Sequence, residues 1–161
     1  MNLFHQADKK GQKKVVDTIK VLFSGCTLTI DEHIEDSGYI DIYITATTAT
    51  KNSITYAIEA KDRNMPHTKY AEDGYILEDW KKKKLEEASK QGYRPLYINT
   101  FSDNKMIVWN LNKIDFSKCG ETGLKTFHKT TVLKSNDDLY SKNKITLKNS
   151  QAQWIGQIVT Q

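Results

Sequence analysis

The chain has few of the residues on which several protein classes depend. Its 161 residues include only two cysteines, Cys26 and Cys119, which are too few for a disulfide framework and have no metal-ligand spacing. The four histidines are scattered without helical spacing, so a zinc site is not expected. No apolar run approaches the length of a membrane span, and the opening segment lacks the apolar core of a signal peptide. These absences favour a soluble, cytoplasmic protein.

The composition and the charge pattern are those of a globular protein with unevenly placed charge. Hydrophobic content of 38% and charged content of 27% suit one domain over 1–161. The net charge is +4, but residues 31–79 carry eleven acids against four bases, while the segments on both sides are net basic. An acidic centre with basic flanks would suit a protein that holds cations and binds a polyanion. Ordinary lysine-rich solubility is the alternative explanation.

The centre of the chain predicts a β-hairpin. Residues 38–46 and 54–61 are rich in β-branched and aromatic residues that alternate with polar ones, and a Thr, Ser, Asn and Lys segment separates them. If the hairpin folds about Thr50, Ile42 faces Ile58 and Ile44 faces Tyr56. These apolar residues would then cover one face of a sheet.

The opposite face of this hairpin would carry unusual charges. The same register places Asp41 directly across from Glu59, and Lys61 points to the same side as Glu59. Two opposed carboxylates repel each other unless a cation lies between them. Hard oxygen ligands of this kind suit Mg²⁺, and the lysine could hold the attacking water or stabilise charge on a phosphate.

The residues Asp41 and Glu59-Ala60-Lys61 resemble the signature of the PD-(D/E)XK nuclease superfamily. The proline that names the motif is replaced here by Ile40. The resemblance implies a restriction-endonuclease-like fold and Mg²⁺-dependent hydrolysis of nucleic-acid phosphodiesters. It also implies that Asp41, Glu59 and the carbonyl of Ala60 bind the metal and that Lys61 is the catalytic lysine.

The sequence context distinguishes this copy of the motif from two others. Asp8-Lys9-Lys10 and Asp103-Asn104-Lys105 also fit an acid-x-Lys pattern. Only the copy at Glu59 lies on an apolar strand, has an upstream strand with an acid in register and has a helix expected downstream. The alternative is a solvent-facing polar strand with an incidental salt bridge.

The order of predicted elements matches the core that the resemblance implies. We predict an α/β fold in which helix, three strands, helix and two strands form a mixed central sheet flanked by helices over about 3–111. The predicted elements are a helix at 3–23, strands at 27–34, 38–46 and 54–61, a helix at 76–91, and strands at 94–101 and 105–111.

The remaining residues, 112–161, form a basic C-terminal extension. Short strands at 130–134 and 144–147 and a short helix from Gln151 are compatible with its sequence. The extension could supply substrate contacts outside the core, or it could cover a sheet edge.

Further residues are candidates for accessory roles. By the resemblance, the first helix could add Asp8 or Gln12 to the site, and the second helix could add Glu78 or Lys82. The segment 62–75 is predicted to be a loop at the mouth of the site that could bind nucleic acid. Its candidates for this are Arg63, His67, Lys69 and Tyr70. Aromatic residues could stack on bases, although core packing explains their spacing better. These are Tyr70, Tyr75, Trp80 and Tyr93.

The leading functional prediction is an Mg²⁺-dependent endonuclease acting on DNA, with Mn²⁺ as a substitute. A non-catalytic nucleic-acid-binding module of the same fold and a protein-interaction domain are the alternatives. The sequence does not distinguish DNA from RNA as the substrate, or single-stranded from double-stranded or branched substrates. It also leaves the oligomeric state open, and a homodimer is one possibility.

Overall fold

The structure, a computed structural model, describes residues 3–32, 40–70, 74–128 and 139–159. Within these ranges there are two α-helices, α1 (Leu3–Leu22) and α2 (Asp79–Lys90). None of the described helices is long and apolar enough to cross a membrane. The strands are β1 (Thr27–Glu32), β2 (Ile42–Thr47), β3 (Ser53–Arg63), β4 (Tyr75–Glu78), β5 (Arg94–Phe101), β6 (Lys105–Asn110), β7 (Gly120–His128), β8 (Leu139–Leu147) and β9 (Trp154–Gln157).

The central sheet contains six strands in the order β1-β2-β3-β5-β6-β9. Strands β3 and β5 are parallel, and every other neighbouring pair is antiparallel, so the sheet is mixed. Parallel neighbours need a long crossover connection, and the segment that contains β4 and α2 supplies it. The α/β class and the mixed central sheet are therefore confirmed.

One face of this sheet is covered by α1. Val15, Val16 and Ile19 recur at helical spacing and are buried against Ile42 and Ile58. The helix ends at Leu22, ahead of the Ser24-Gly25 turn, almost where the sequence predicts. The alternation of β2 and β3 thus gives α1 an apolar surface on which to pack.

A polar cluster fixes α1 on the same face of β3. Lys14 Nζ donates to Asp62 Oδ1 at 2.7 Å, and the hydroxyl of Thr100 donates to the same oxygen at 2.6 Å. Gly11 brings the helix so close that a Cβ atom there would lie 2.8 Å from the Cβ of Asp62. The backbone of α1 at Gly11 is therefore packed closely against β3.

The other face of the central sheet packs against α2. Leu85 and Ala88 of the helix are buried in one cluster with Ala57, Tyr97 and Trp109 of the sheet. The sheet is consequently covered on both faces, with α1 and α2 on opposite sides. Odd-numbered residues of β3 face α2, and this is the side on which Glu59 lies.

The prediction of a helix from residue 76 is wrong at its beginning. Residues Tyr75 to Glu78 form β4, which pairs antiparallel with β8, and the helix begins only at Asp79. Tyr75 and Leu77 are fully buried, whereas Ile76 and Glu78 are less buried, which is the alternation of a strand. The partner strand β8 is distant in sequence, so local periodicity did not reveal the pairing.

The C-terminal residues are built into two sheets. Strand β9 pairs with β6 and covers that edge of the central sheet, while β7, β8 and β4 form a second sheet of three strands. The predicted strand at 144–147 is confirmed within β8, and the one at 130–134 lies outside the described residues. The predicted helix from Gln151 is wrong, because a single 3₁₀ turn there leads into β9.

The predicted loop over 62–75 is shorter than expected. Asp62 and Arg63 extend β3, and His67–Tyr70 form a 3₁₀ turn. His67 is held to the β5–β6 turn, because both its backbone amide and its ring contact the carboxylate of Asp103. The acid-x-Lys copy at Asp103 therefore anchors a turn.

Candidate functional site

The hairpin of β2 and β3 brings two carboxylates to one place. Ile42 pairs with Ile58 as predicted, and the pairing of β2 with β3 ends there, one residue short of Asp41 and Glu59. Asp41 lies in a bend before β2, and the backbone amide of Ala60 donates a hydrogen bond of 2.8 Å to its Oδ2. The predicted pairing of Ile42 with Ile58 is therefore confirmed, and the two acids lie close enough for Lys81 to contact both.

Glu59 is fully buried, and its carboxylate contacts two lysines of α2. Lys81 Nζ donates to Oε2 of Glu59 and lies 4.0 Å from Oδ2 of Asp41. Lys84 Nζ lies 3.8 Å from the other oxygen, Oε1, which is beyond hydrogen-bond distance. Lys81 thus supplies the cation that two opposed carboxylates require.

The buried pair has perturbed acid–base properties. Burial, together with the nearby charge of Asp41, raises the pKa of Glu59 from 4.5 to about 7, although Lys81 opposes this shift. Burial disfavours the ammonium of Lys81, but Glu59 and Asp41 outweigh it and raise the pKa of Lys81 above its ordinary value. Near neutral pH, Lys81 therefore stays charged while Glu59 can gain or lose a proton.

Sequence reasoning missed Lys81, although a signal for it exists. Glu78 and Lys82 were the candidates from this segment, but Glu78 accepts a hydrogen bond from Trp80, and Lys82 pairs with Glu86 on the helix surface. Lys81 precedes the buried residues Leu85 and Ala88 by four and seven positions, so it shares their face of α2. That spacing identifies the inward-facing lysine once the start of the helix is known.

The first helix contributes no described contact to the carboxylates. Gln12 lies on α1, which packs on the face of the sheet opposite Glu59, and it is almost fully buried. Its side-chain oxygen has no hydrogen-bond partner among the described residues. Asp8 lies in α1, and its side chain is outside the described part of the structure.

Lys61 lies two residues beyond Glu59 on the same side of β3. Its side chain is exposed, and the parallel register with β5 places it beside Asn99. Asn99 is fully buried, and its amide nitrogen has no hydrogen-bond partner in the described part of the chain. An exposed lysine therefore lies two residues from the buried acid on the same side of β3.

The oxygens of Asp41 and Glu59 are of the type that hard divalent cations prefer. Oε1 of Glu59 is buried and has no hydrogen-bond partner among the described residues, although the ammonium of Lys84 lies 3.8 Å from it, so a cation at this oxygen would have to displace Lys84. Across those residues no cluster of three or more His, Cys, Asp or Glu side chains could hold a metal ion. Mg²⁺ commonly binds through one or two carboxylates together with waters and substrate phosphates, which matches the pair Asp41 and Glu59.

Arg63 is held inside the protein rather than extended toward solvent. Its Nε donates to Oδ1 of Asn99 at 2.8 Å, and its Nη2 donates to the carbonyl of Ile76 at 3.1 Å and to the hydroxyl of Tyr97 at 3.2 Å. The guanidinium also lies 5.4 Å from the ring centroid of Tyr70. These contacts make Arg63 a link between β3, β4 and β5.

Two further predicted nucleic-acid contacts lie in the 3₁₀ turn. Tyr70 stacks on Tyr75 with ring centroids 5.9 Å apart, which makes it part of the core packing. Lys69 is exposed. Of the two, the side chain of Lys69 is the better placed to meet a phosphate.

Comparisons with protein-family models, curated proteins and solved structures give no match for this chain. The likeness to PD-(D/E)XK nucleases therefore rests on the residues of the site.

Proposed function

We propose that the protein is an Mg²⁺-dependent endonuclease that hydrolyses phosphodiester bonds of DNA on a restriction-endonuclease-like core. One observation carries the proposal. The buried carboxylate of Glu59 lies beside Asp41, with one oxygen that lacks a hydrogen-bond partner among the described residues. Two adjacent carboxylates whose charge is now balanced by the ammoniums of Lys81 and Lys84 could exchange these cations for a divalent metal, which a metal-dependent hydrolase needs.

Stability alone is a poor explanation for this arrangement. Burying a charged group costs roughly several kcal/mol of stability. Replacing buried ions by apolar side chains of similar volume often leaves the stability unchanged or raises it. Asp41 also lies close enough to Glu59 for its charge to raise the pKa of Glu59, which reflects repulsion between the two carboxylates. Binding of a cation and a polyanion would explain why these charged groups lie together.

The residues of the site have distinct proposed roles. Asp41, Glu59 and the carbonyl of Ala60 hold the metal. Bound Mg²⁺ supplies Lewis-acid stabilisation of the charge that develops on the phosphate. Lys61, exposed on the same side of β3, positions the attacking water or binds a phosphate oxygen. Lys81 neutralises the two carboxylates while no metal is present.

Charge distribution supports DNA as the polyanion. The chain is net positive at +4, and residues 112–161 carry eight lysines against four acids. A basic surface steers a polyanion toward a site and binds it in a salt-dependent way. Lys81 and Lys84 offset part of the repulsion between these acids and DNA, and a bound metal would offset more, so DNA binding at the site should be stronger with the metal than without it.

The test combines metal titration with cleavage. The purified protein is titrated with Mg²⁺ and Mn²⁺ by calorimetry and incubated with plasmid, single-stranded and branched DNA. Asp41→Asn and Glu59→Gln should abolish both metal binding and cutting, and Lys61→Met should abolish cutting while metal binding remains. Glu87→Gln, the same chemical change at an exposed acid on α2, should behave like the parent. Cutting by the Asp41 or Glu59 variants at the parental rate would refute the assignment.

A second candidate is DNA binding without hydrolysis. The observation that favours it is the contact of Lys81 with both carboxylates, since an internal ammonium can satisfy them without a metal. Salt-sensitive DNA binding that needs no metal, with no cutting of any substrate, would support this candidate.

A further inference from the structure

Trp80 is the most exposed of the aromatic side chains that the structure describes, with 38% of its surface accessible. The two other tryptophans are placed differently. Trp109 is fully buried on the α2 side of the sheet, and Trp154 packs against the cluster beneath α1. The exposure of Trp80 is therefore not shared by the rest of the tryptophans and calls for its own explanation.

The indole of Trp80 lies beside the carboxylate pair. Lys84 Nζ is 4.4 Å from the ring centroid of Trp80 and 3.8 Å from Oε1 of Glu59. Lys81 Nζ is 5.3 Å from the same centroid and is bonded to Glu59. The ring therefore shares both of its lysines with the buried acid, and a single nucleotide could reach the ring and the acid together.

The orientation of the ring is fixed by the protein. The indole nitrogen donates a hydrogen bond to Oε2 of Glu78, the last residue before α2. The two lysine cations lie against the ring at distances typical of cation–π contacts. A ring held in this way loses little conformational freedom when a ligand binds it.

The other aromatic candidates are used for packing. Tyr75 is fully buried, and Tyr70 stacks on it. The ring of Tyr93 meets the ring of Tyr43 edge to face, with ring centroids 5.3 Å apart. Of the four aromatic candidates, Trp80 is thus the one that is exposed beside the site, and the other three are accounted for by packing.

We propose that Trp80 stacks on an unpaired nucleobase next to the scissile phosphate, and that Lys84 neutralises the adjoining backbone phosphate. This inference rests on the proposed nuclease function and names its substrate class. A base in a duplex is already stacked on its neighbours, so an indole can receive it only where the strand is single, overhanging or locally opened. The preferred substrate is therefore DNA with unpaired bases.

The test compares oligonucleotides of about 12 nucleotides. Binding of a single strand, of the same strand with abasic positions and of a blunt duplex is measured by anisotropy without Mg²⁺ and in low salt. Trp80→Ala should weaken single-strand binding about 5- to 100-fold and change duplex binding by less than about 2-fold. Trp80→Phe should retain most of the affinity, and abasic positions should mimic Trp80→Ala.

Matched controls address folding and location. Trp154→Phe changes a tryptophan on the opposite side of the sheet and should bind both substrates like the parent. Thermal unfolding of the Trp80 variants beside the parent shows whether loss of the indole hydrogen bond and of the lysine contacts changes stability, and Trp80→Phe keeps a ring at this position. Quenching of tryptophan fluorescence by the single strand should disappear in Trp80→Phe and persist in Trp154→Phe.

The inference and the proposed function can fail separately. Equal loss of single-strand and duplex binding in Trp80→Ala, or no loss at all, would overturn the stacking role even if the parent cuts DNA with Mg²⁺. Selective loss in Trp80→Ala would support stacking even if no substrate is ever cut, and in that case the nuclease proposal alone would fall.

Discussion

Lys81 on α2 donates a hydrogen bond to the fully buried carboxylate of Glu59 on β3, and its Nζ also lies 4.0 Å from Asp41. The ammonium therefore occupies the position at which two opposed carboxylates need a positive charge. A metal ion bound by these carboxylates must compete with Lys81. Protonation of Glu59, metal binding and the Lys81 contact are consequently linked.

Metal affinity should depend on pH through Glu59. The pKa of Glu59 is about 7, and a protonated carboxyl cannot serve as a metal ligand. Below this value the apparent affinity for Mn²⁺ should fall about tenfold for each pH unit, and above it the affinity should level off. Calorimetric titrations between pH 5 and 8.5 measure this. An affinity that is flat across this range would show that Glu59 is not a ligand.

The stability of the protein should also depend on Glu59. Its pKa is raised in the folded state from the ordinary 4.5, so the folded protein binds more protons than the unfolded chain between that value and about 7. The stabilising contribution is full below pH 4.5 and is lost as the pH rises through 7. The free energy of unfolding should fall in this window by up to about 1 kcal/mol per pH unit more in the parent than in Glu59→Gln.

Urea denaturation of both proteins at several pH values tests this sign. Groups distant from Glu59 affect the parent and Glu59→Gln alike, and Lys81, whose pKa Glu59 raises further above 10.5, titrates well above this window, so the difference between the two curves reports Glu59. A difference that is constant with pH would contradict the raised pKa.

Removal of the Lys81 ammonium should destabilise the fold, whereas removal of its neighbour should not. Lys81→Met leaves Glu59 and Asp41 without their bonded cation and should lower the free energy of unfolding by about 3 kcal/mol at pH 8. The loss should be smaller at pH 5, where Glu59 is protonated. Lys82→Met removes a part-buried pair with the more exposed Glu86 and a contact with the ring of Phe116, which together contribute about 1 kcal/mol, less than the contact with the fully buried Glu59.

Chemical denaturation of the two variants beside the parent measures this contrast. Equal losses in Lys81→Met and Lys82→Met would mean that the buried contact is not the more important one.

The opposition of Asp41 and Glu59 could be read from the sequence because it depends on local rules. Side chains alternate strictly along a strand, and a hairpin centred on Thr50 has a single register that buries Ile42 and Ile58 together. Those two facts predict that the acids lie near each other, and the structure brings both within reach of Lys81 although the paired residues end at Ile42 and Ile58. The same local reasoning located α1, whose apolar residues recur at helical spacing.

The parts of the structure that were not predicted depend on distant partners. Strand β4 is a strand because β8 pairs with it, and β9 is a strand because β6 does. Neither pairing can be recognised from the short sequences of β4 and β9 alone. Lys81 is different, because its spacing of four and seven residues from Leu85 and Ala88 already places it on the buried face of α2.

Substitutions of Arg63 and Lys69 should have different effects, because Arg63 holds strands together whereas Lys69 is expected to contact DNA. Arg63 donates hydrogen bonds to Asn99, Tyr97 and the carbonyl of Ile76 in a partly buried network. Arg63→Ala should therefore lower the free energy of unfolding by about 2 to 4 kcal/mol. Lys69→Ala should leave stability within about 0.5 kcal/mol and reduce the salt dependence of DNA binding by about one phosphate contact.

Thermal unfolding and salt titrations of DNA binding distinguish the two residues. If Arg63→Ala keeps parental stability and only weakens DNA binding, the network is not what holds Arg63.

Gly11 should be required for the contact between α1 and β3. Glycine inside a helix usually costs about 1 kcal/mol relative to alanine, so Gly11→Ala would ordinarily stabilise α1. Here the added Cβ would lie 2.8 Å from the Cβ of Asp62, so helix and strand must separate and strain the hydrogen bonds from Lys14 and Thr100. The net result should be a loss of about 1 to 3 kcal/mol in urea denaturation.

Gly25→Ala is the matched control for this change, because a Cβ there meets no atom within 4 Å. It should leave the free energy of unfolding unchanged or raise it by less than about 1 kcal/mol, since alanine restricts the unfolded chain. A gain in stability from both substitutions would mean that α1 does not approach Asp62 as closely as described. Opposite signs would instead establish that the close approach at Gly11 sets the position of α1 on β3, the strand that carries Glu59 and Lys61.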